Sequence, residues 1–188
     1  ADDALWLFPT VYKYIAETGD TAFMDEVIPY ATHGEGTVLD HLKRAIDFSM
    51  NHLGAHGMPA GLHADWNDCL RLGAAGESSF VAMQLYLALR LLDELMPNKP
   101  ENDEYRVYLR QKAEEQKALI NQHFWEDDRF RRGYSEQGSI IGSKNDPEAS
   151  MWLNPQSWAV ISGLATPEQA EKAMQTAFEQ LNTPFGVE

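Results

Sequence analysis

The chain has 188 residues, 44% of them apolar, which is enough to bury one full hydrophobic core and reads as a single domain. Its formal charge of −14 at pH 7 argues against a nucleic-acid backbone or an anionic membrane surface as partner, because a phosphate polymer needs a basic footprint, and favours a neutral ligand. A single cysteine, Cys69, excludes an internal disulfide and favours the cytoplasm, and no apolar run approaches the roughly 20 residues that a membrane-spanning helix needs.

In chain order, Trp6, Leu7, Val11, Tyr14 and Ile15 follow a 3.6-residue period from Asp3 to Glu17, with Pro9 early and Gly19 as a natural stop, so a helix is predicted there. Thr37 and Asp40 have the spacing of a capping box, and Val38, Leu39, Leu42, Ala45, Ile46 and Met50 then draw one apolar stripe up to Leu53. Glu77 to Met96 is apolar over most of its circumference and is predicted as an inner helix, opened by Glu77, whose carboxylate suits a helix start. Glu101 to Phe124 keeps Leu109, Ala113, Leu119, Ile120 and Phe124 on one side and charges on the other, so it is placed outside. Residues 154 to 163 are predicted as a further helix. Thr166, Pro167 and Gln169 then combine cap, first-turn proline and capping-box partner for a last helix to about Leu181.

Helical hairpins that alternate more and less apolar members are what an α/α barrel or toroid requires, so an all-α fold class and an incomplete α/α barrel are predicted. The chain opens on Ala1 inside a helical pattern and stops at "LNTPFGVE" as a new segment begins, so residues 1–188 are expected to be a fragment of one barrel domain. Cutting a closed barrel exposes faces meant for burial, and an apolar surface patch is expected.

Two long connections, Gly54 to Gly76 and Trp125 to Leu153, are rich in Gly, Asp and aromatic residues, and loops of such length are usually functional or disordered. The first contains "HADWNDCL", residues 63 to 70. On one reading Asp65, Asn67 and Asp68 cap local N–H groups while Trp66 plugs the core. On the other, Trp66 offers a face to a pyranose ring and the carboxylates and amide take its hydroxyls, which suits a carbohydrate pocket. An acid beside an aromatic wall also has its pKa raised by desolvation, as a general acid at neutral pH requires.

Metal and phosphate motifs fail at these positions. Cys69 and Leu70 stand where a calcium loop needs an oxygen ligand and a glycine. His52 and His56 are separated by Gly54 and lack a third zinc ligand, so they read as surface or capping histidines. "GAAGES" lacks the Lys-Ser/Thr of a P-loop. Arg131 and Arg132, the only adjacent arginines, read as a solvated face.

"MPAGLHADWNDCLRLG" followed by "GESSFVAMQL" resembles the catalytic domain of inverting disaccharide phosphorylases, the cellobiose and chitobiose phosphorylase family of glycoside hydrolase family 94. "DDALWLFPTVYKYIAETGD", "GTVLDHLKRAIDFSMNHLGAHG" and "NPQSWAVISGLATPEQA" agree, so the resemblance covers nearly the whole chain. It implies an (α/α)6 barrel that cleaves a β-linked disaccharide with inorganic phosphate, giving a sugar 1-phosphate of inverted configuration and a free sugar. Inorganic phosphate is a co-substrate, no cofactor or metal is implied, and a homodimer is the implied assembly of a full-length protein. By the same resemblance Asp68 matches the general acid and Trp66 the aromatic residue beside the scissile bond, with Asp65 and Asn67 shaping the loop or touching a hydroxyl. The family's donor-site Arg and Asp and most of its phosphate ligands match regions outside residues 1–188.

Gln156 and Trp158 are candidate pocket residues, Trp158 having core packing as its alternative, and Asp2 and Asp3 are candidates for the barrel mouth unless they serve the helix dipole. Two other functional classes remain open: a non-catalytic helical scaffold or sugar-binding module, and an inverting hydrolase, which needs a second carboxylate roughly 6.5–9.5 Å from the first.

Overall fold

The computed structural model describes residues 2–63 and 65–187, and among them six α-helices alternate with 3-10 turns and very short strands. A single 3-10 turn over Asp3–Trp6 leads into α1 (Leu7–Thr18), which ends where Gly19 takes φ 72° and returns its N–H to the Ile15 carbonyl. Pro9 sits in the first turn of α1, where its missing N–H has no intrahelical partner to lose. Strands β1 (Val27–Pro29) and β2 (Glu35–Thr37) form an antiparallel hairpin before α2 (Val38–Met50). The Thr37 hydroxyl accepts from the Asp40 N–H at 3.0 Å while the Asp40 carboxylate accepts from the Thr37 N–H at 3.0 Å, and these bonds hold the Asp40 carboxyl below the usual range.

The central element is α3 (Ser79–Leu95), where Phe80, Val81, Met83, Leu85, Leu89 and Leu92 are all buried. It packs most extensively on α4 (Asp103–Phe124) and also meets α1, α2 and α5 (Leu153–Ile161), so its apolar circumference has a partner on every side. Each large side chain so buried contributes about 1.5–3 kcal/mol. On α4, Leu109, Ala113, Ile120 and Phe124 face the core, while Gln111 and Lys112 pair with Glu115 at the surface. Arg106 and Arg110 on α4 both bind Asp93 of α3. Helix α6 (Pro167–Leu181) is capped by Thr166 with Gln169 as expected. On α5, α6 and the terminal hairpin of β8 (Asn182–Thr183) and β9 (Gly186–Val187), Ile161, Phe178 and Phe185 are exposed.

The helical expectation holds for most of the chain, and short antiparallel strands are added to it, above all in the second long connection. Strand β3 (Glu77–Ser78) pairs with β6 (Gly133–Tyr134), which pairs in turn with β7 (Ile140–Ile141). Strands β4 (Trp125–Glu126) and β5 (Arg129–Phe130) form a hairpin whose turn holds Asp127 at φ 58°. This three-stranded sheet ties the first long connection to the second at the head of α3. Glu77 is part of it: its carboxylate is buried and accepts from the His56 N–H at 2.9 Å, the Met58 N–H at 3.1 Å and His56 Nδ1 at 2.5 Å. It therefore fastens the 54–58 turn, and the dipole role expected at a helix start is not the one it fills. His52 instead lies exposed, bonded to the Phe48 carbonyl, so the two histidines serve different ends of the turn.

Candidate active site

The cleft is made by the loop that follows α2. Its ends are tied by the Gly61 N–H to the Gly76 carbonyl at 2.7 Å and by the Leu62 N–H to the Ala74 carbonyl at 3.0 Å. Inside that closure Leu62 and His63 both hold positive φ, 51° and 65°, a conformation that costs a non-glycine residue about 1–2 kcal/mol. Strain of this kind persists only where the surroundings impose it, and it clusters at functional sites. The far side of the loop rests on Glu136, whose carboxylate accepts from the Ala74 N–H at 2.9 Å. Gly73 makes room for it: at φ 87°, an added Cβ would meet the Glu136 carboxyl at 2.2 Å.

Within the loop the acidic and amide residues divide their tasks. Asp65 is buried, and its Oδ1 accepts from the Asn67 N–H at 3.0 Å and from the Arg132 guanidinium, while its Oδ2 is buried without a hydrogen-bond partner. Asn67 Oδ1 accepts from the Cys69 N–H at 3.1 Å, and the Asn67 carbonyl takes the Leu70 N–H. These two residues are the turn-shaping Asx groups that sequence reasoning offered as one reading. Asp68 is different. It is exposed, no described residue bonds its carboxylate, and it lines a cleft of about 550 Å³ together with His63, Asp65, Arg71, Glu136 and Gln137. That volume lies within the range of small-ligand sites.

Trp66 lies outside the lining of that cleft. Its ring, 58% exposed, sits 6.1 Å from Phe80, and neither it nor Asp68 is enclosed by an aromatic wall among the described residues. Phe80 continues the aromatic row to Trp158 at 5.0 Å and Trp6 at 6.3 Å, both T-shaped or tilted contacts. Trp158 thus belongs to the same end of the molecule as Trp66, half-buried between Trp6 and Phe80. Asp2 is buried and accepts from the Trp6 indole N–H at 3.0 Å, whereas Asp3 is exposed at the start of the 3-10 turn and outside the cleft lining.

Two expectations are corrected here. Gln156 is fully buried and faces away from solvent: its amide accepts from the Phe130 N–H and donates to the Phe130 carbonyl, both at 2.8 Å. It clamps β5 to α5 and lies outside the lining of the cleft that holds Asp68. Arg131 and Arg132 are not a solvated face. Arg131 binds Glu126 at 3.0 Å, and although burial pushes the Glu126 carboxyl up, Arg131, the Lys144 N–H and Ser143 bring it below its usual range. Arg132 has no exposed surface at all, since it is the partner of Asp65. Sequence reasoning missed Arg132, Glu77 and Glu136 as supports of the cleft. The available signal was the Asp127-Asp128 pair between two short apolar-charged runs, which marks a two-residue hairpin with Arg129 on its second strand; Arg131 and Arg132 lie just beyond that strand, where no such signal reaches.

Among the described residues no group of three or more His, Cys, Asp or Glu is placed to hold a metal ion, and no helix is long and apolar enough to cross a membrane. The cleft thus presents the Asp68 carboxyl group, which no described residue bonds, on a turn shaped by Asp65 and Asn67, with the exposed Trp66 indole outside its lining.

A family model described as "Glycosyl hydrolase 94 superfamily, catalytic domain" matches residues 1–188. The chain is 40% identical over 189 residues to an N,N'-diacetylchitobiose phosphorylase of Vibrio proteolyticus, covering 100% of this chain and 23% of that protein. It is 36% identical over 189 residues to a solabiose phosphorylase of Paenibacillus borealis, covering 99% of this chain and 25% of that protein. The chain thus spans about a quarter of the length of these relatives. In structure it is similar to a rhamnosidase from Klebsiella oxytoca with rhamnose bound, with a TM-score of 0.66 at 15% identity over 94% of this chain and 30% of that one. At that identity the likeness speaks for the fold alone.

Proposed function

The chain belongs to the glycosyl hydrolase 94 superfamily, and from that premise we propose that it carries the acid-bearing part of an inverting phosphorylase acting on a β-linked disaccharide. In this reading the six helices are a sector of an (α/α)6 barrel. The single observation that carries the proposal is Asp68, exposed to the cleft and unbonded by any described residue, on a turn whose shape is held by Asp65 Oδ1 and Asn67 Oδ1. Asp68 gives its proton to the glycosidic oxygen as the bond from that oxygen to the anomeric carbon breaks. Phosphate attacks the same carbon from the opposite face, so the products are a sugar 1-phosphate of inverted configuration and a free sugar. One acid suffices, because phosphate arrives as an anion and needs no base to activate it, unlike the water of an inverting hydrolase. A positioned general acid contributes about 10²–10⁴-fold in rate. Trp66 supplies the apolar face for one sugar ring.

The test is phosphate release from α-glucose 1-phosphate with glucose or N-acetylglucosamine as acceptor, in the full-length protein and its Asp68→Asn variant. Release that Asp68→Asn abolishes at unchanged fold supports the acid assignment, and equal release in both variants removes it. Glu136 gives a hydrolytic reading one point of support, as a second carboxylate in the same cleft. Its Oε2 is already bonded to Ala74 and its Oε1 to Gln137, which favours phosphorolysis. Sugar release from a β-disaccharide without phosphate, lost in Glu136→Gln, would reverse that preference.

A further inference from the structure

Arg132 is the largest fully buried charged side chain of the described residues, and its surroundings hold it from several directions. One guanidinium nitrogen, Nη2, donates to Asp65 Oδ1, and the other, Nη1, donates to Ser78 Oγ at 2.7 Å. The guanidinium lies 6.0 Å from the centroid of the Phe80 ring and 5.6 Å from that of Trp152. Its backbone is equally fixed: the Arg132 N–H donates to the Ile141 carbonyl at 2.9 Å, and its carbonyl accepts from the Ser79 N–H at 3.1 Å and the Ser79 hydroxyl at 3.0 Å. Gly142, at φ 74°, leaves the space, since an added Cβ would meet Arg132 Cβ and N at 2.9 Å.

What Arg132 holds is the first residue of the catalytic turn. Asp65 Oδ1 takes both the guanidinium and the Asn67 N–H, and Asn67 is bonded directly to Asp68 in the chain. A continuous path therefore runs from the head of α3 and the β6–β7 hairpin through Arg132 and Asp65 to the peptide that carries Asp68. A planar guanidinium reaches two acceptors in fixed directions, which a single ammonium group does not do.

We propose that Arg132 is a positioning residue for the reaction at Asp68: by gripping Asp65 and Ser78 at once it fixes the orientation of the 65–68 turn and with it the line from the acid to the glycosidic oxygen. The inference rests on Asp68 being the proton donor. It assigns Arg132 no contact with substrate.

The experiment uses the full-length protein and its Arg132→Lys, Asp65→Asn and double variants, with circular dichroism and melting curves confirming the fold of each. Arg132→Lys keeps the charge and loses the fork. It is expected to lower kcat by about tenfold or more while KM stays within about threefold, because an interaction realised in the transition state is the one lost. In the phosphorolysis direction the alkaline limb of its kcat pH profile, where a proton donor loses its proton, is expected to move, and the double variant to be no slower than the slower single one, as for groups that act as a unit. Wild-type kcat and pH profile in folded Arg132→Lys, or losses that multiply in the double variant, would overturn the proposal. Should Arg132→Lys fail to fold, Ser78→Ala carries the test by removing the second anchor together with the cap that Ser78 Oγ gives the Val81 N–H, whose cost the melting curve reads separately: a fall in kcat at steady KM in the folded variant supports it and an unchanged kcat overturns it. Asp68→Asn run beside these separates the two ideas. If it retains activity, the acid assignment fails; if it is silent while Arg132→Lys and Ser78→Ala are normal, only the positioning role fails.

Discussion

Asp65 and Arg132, 67 residues apart in the chain, meet as a fully buried ion pair beneath the cleft. Removing one partner strands the other charge in the interior, and Asp65→Ala is expected to cost about 3–5 kcal/mol, a fall in melting temperature of roughly 6–20 °C for a domain of this size. Replacing both, as in Asp65→Leu/Arg132→Met, is expected to recover much of that loss. Thermal melts of the three variants check the ordering, and a double variant less stable than Asp65→Ala alone would contradict it.

Trp66 offers its ring at the surface, where burial against Phe80 is partial. Trp66→Ala is expected to leave stability within about 1 kcal/mol, since little apolar area is withdrawn from water there. Under the phosphorylase reading it weakens sugar binding about tenfold, equivalent to about 1.4 kcal/mol, and Trp66→Phe retains part of it. Acceptor KM in the full-length protein is the measurement.

Glu77 accepts three hydrogen bonds inside the molecule, two from the His56 and Met58 backbone. Glu77→Ala is expected to destabilise by about 3 kcal/mol or more through the unsatisfied donors it leaves, and Glu77→Gln by less. Urea denaturation should show the midpoint falling with little change in slope.

What was legible in the sequence was what is local. Thr37 with Asp40 and Thr166 with Gln169 announce their helices because cap and partner lie three residues apart, and α3 announces its central place by having no polar side. The Asx character of Asp65 and Asn67 was likewise readable, because their bonds close within two residues. Arg132, Glu77 and Gln156 were misread for the opposite reason: each is buried by a partner 21 to 67 residues away. Strands two residues long show no alternation, so nothing placed these side chains indoors.

His123 packs its ring 4.6 Å from His56, and burial, followed by the charge of His56, holds its imidazole below the ordinary value of 6.5. The folded chain therefore binds this proton less readily than the unfolded chain. Stability is complete above pH 6.5 and falls as pH drops through that value, levelling once the lowered folded value is passed. Melting temperatures measured between about pH 7.5 and 5.5 should decline, and His123→Gln should flatten the slope.

The short ladder between β3 and β6 has a consequence for the order in which the molecule is made. The α3–α4 pair is a hairpin of neighbours and closes early, whereas the cleft needs residue 132 to return to residue 65 after the whole of α4 has formed. In pulse-labelled hydrogen exchange during refolding, the Leu62 and Asn67 amides, and that of Ser79 at the first position of α3, which is bonded to the Arg132 carbonyl, should gain protection after those in the interior of α3 and α4. The turn that carries Asp68 is thus laid onto a helical frame already standing, and substitutions in it can vary the chemistry while the route by which the frame folds stays the same.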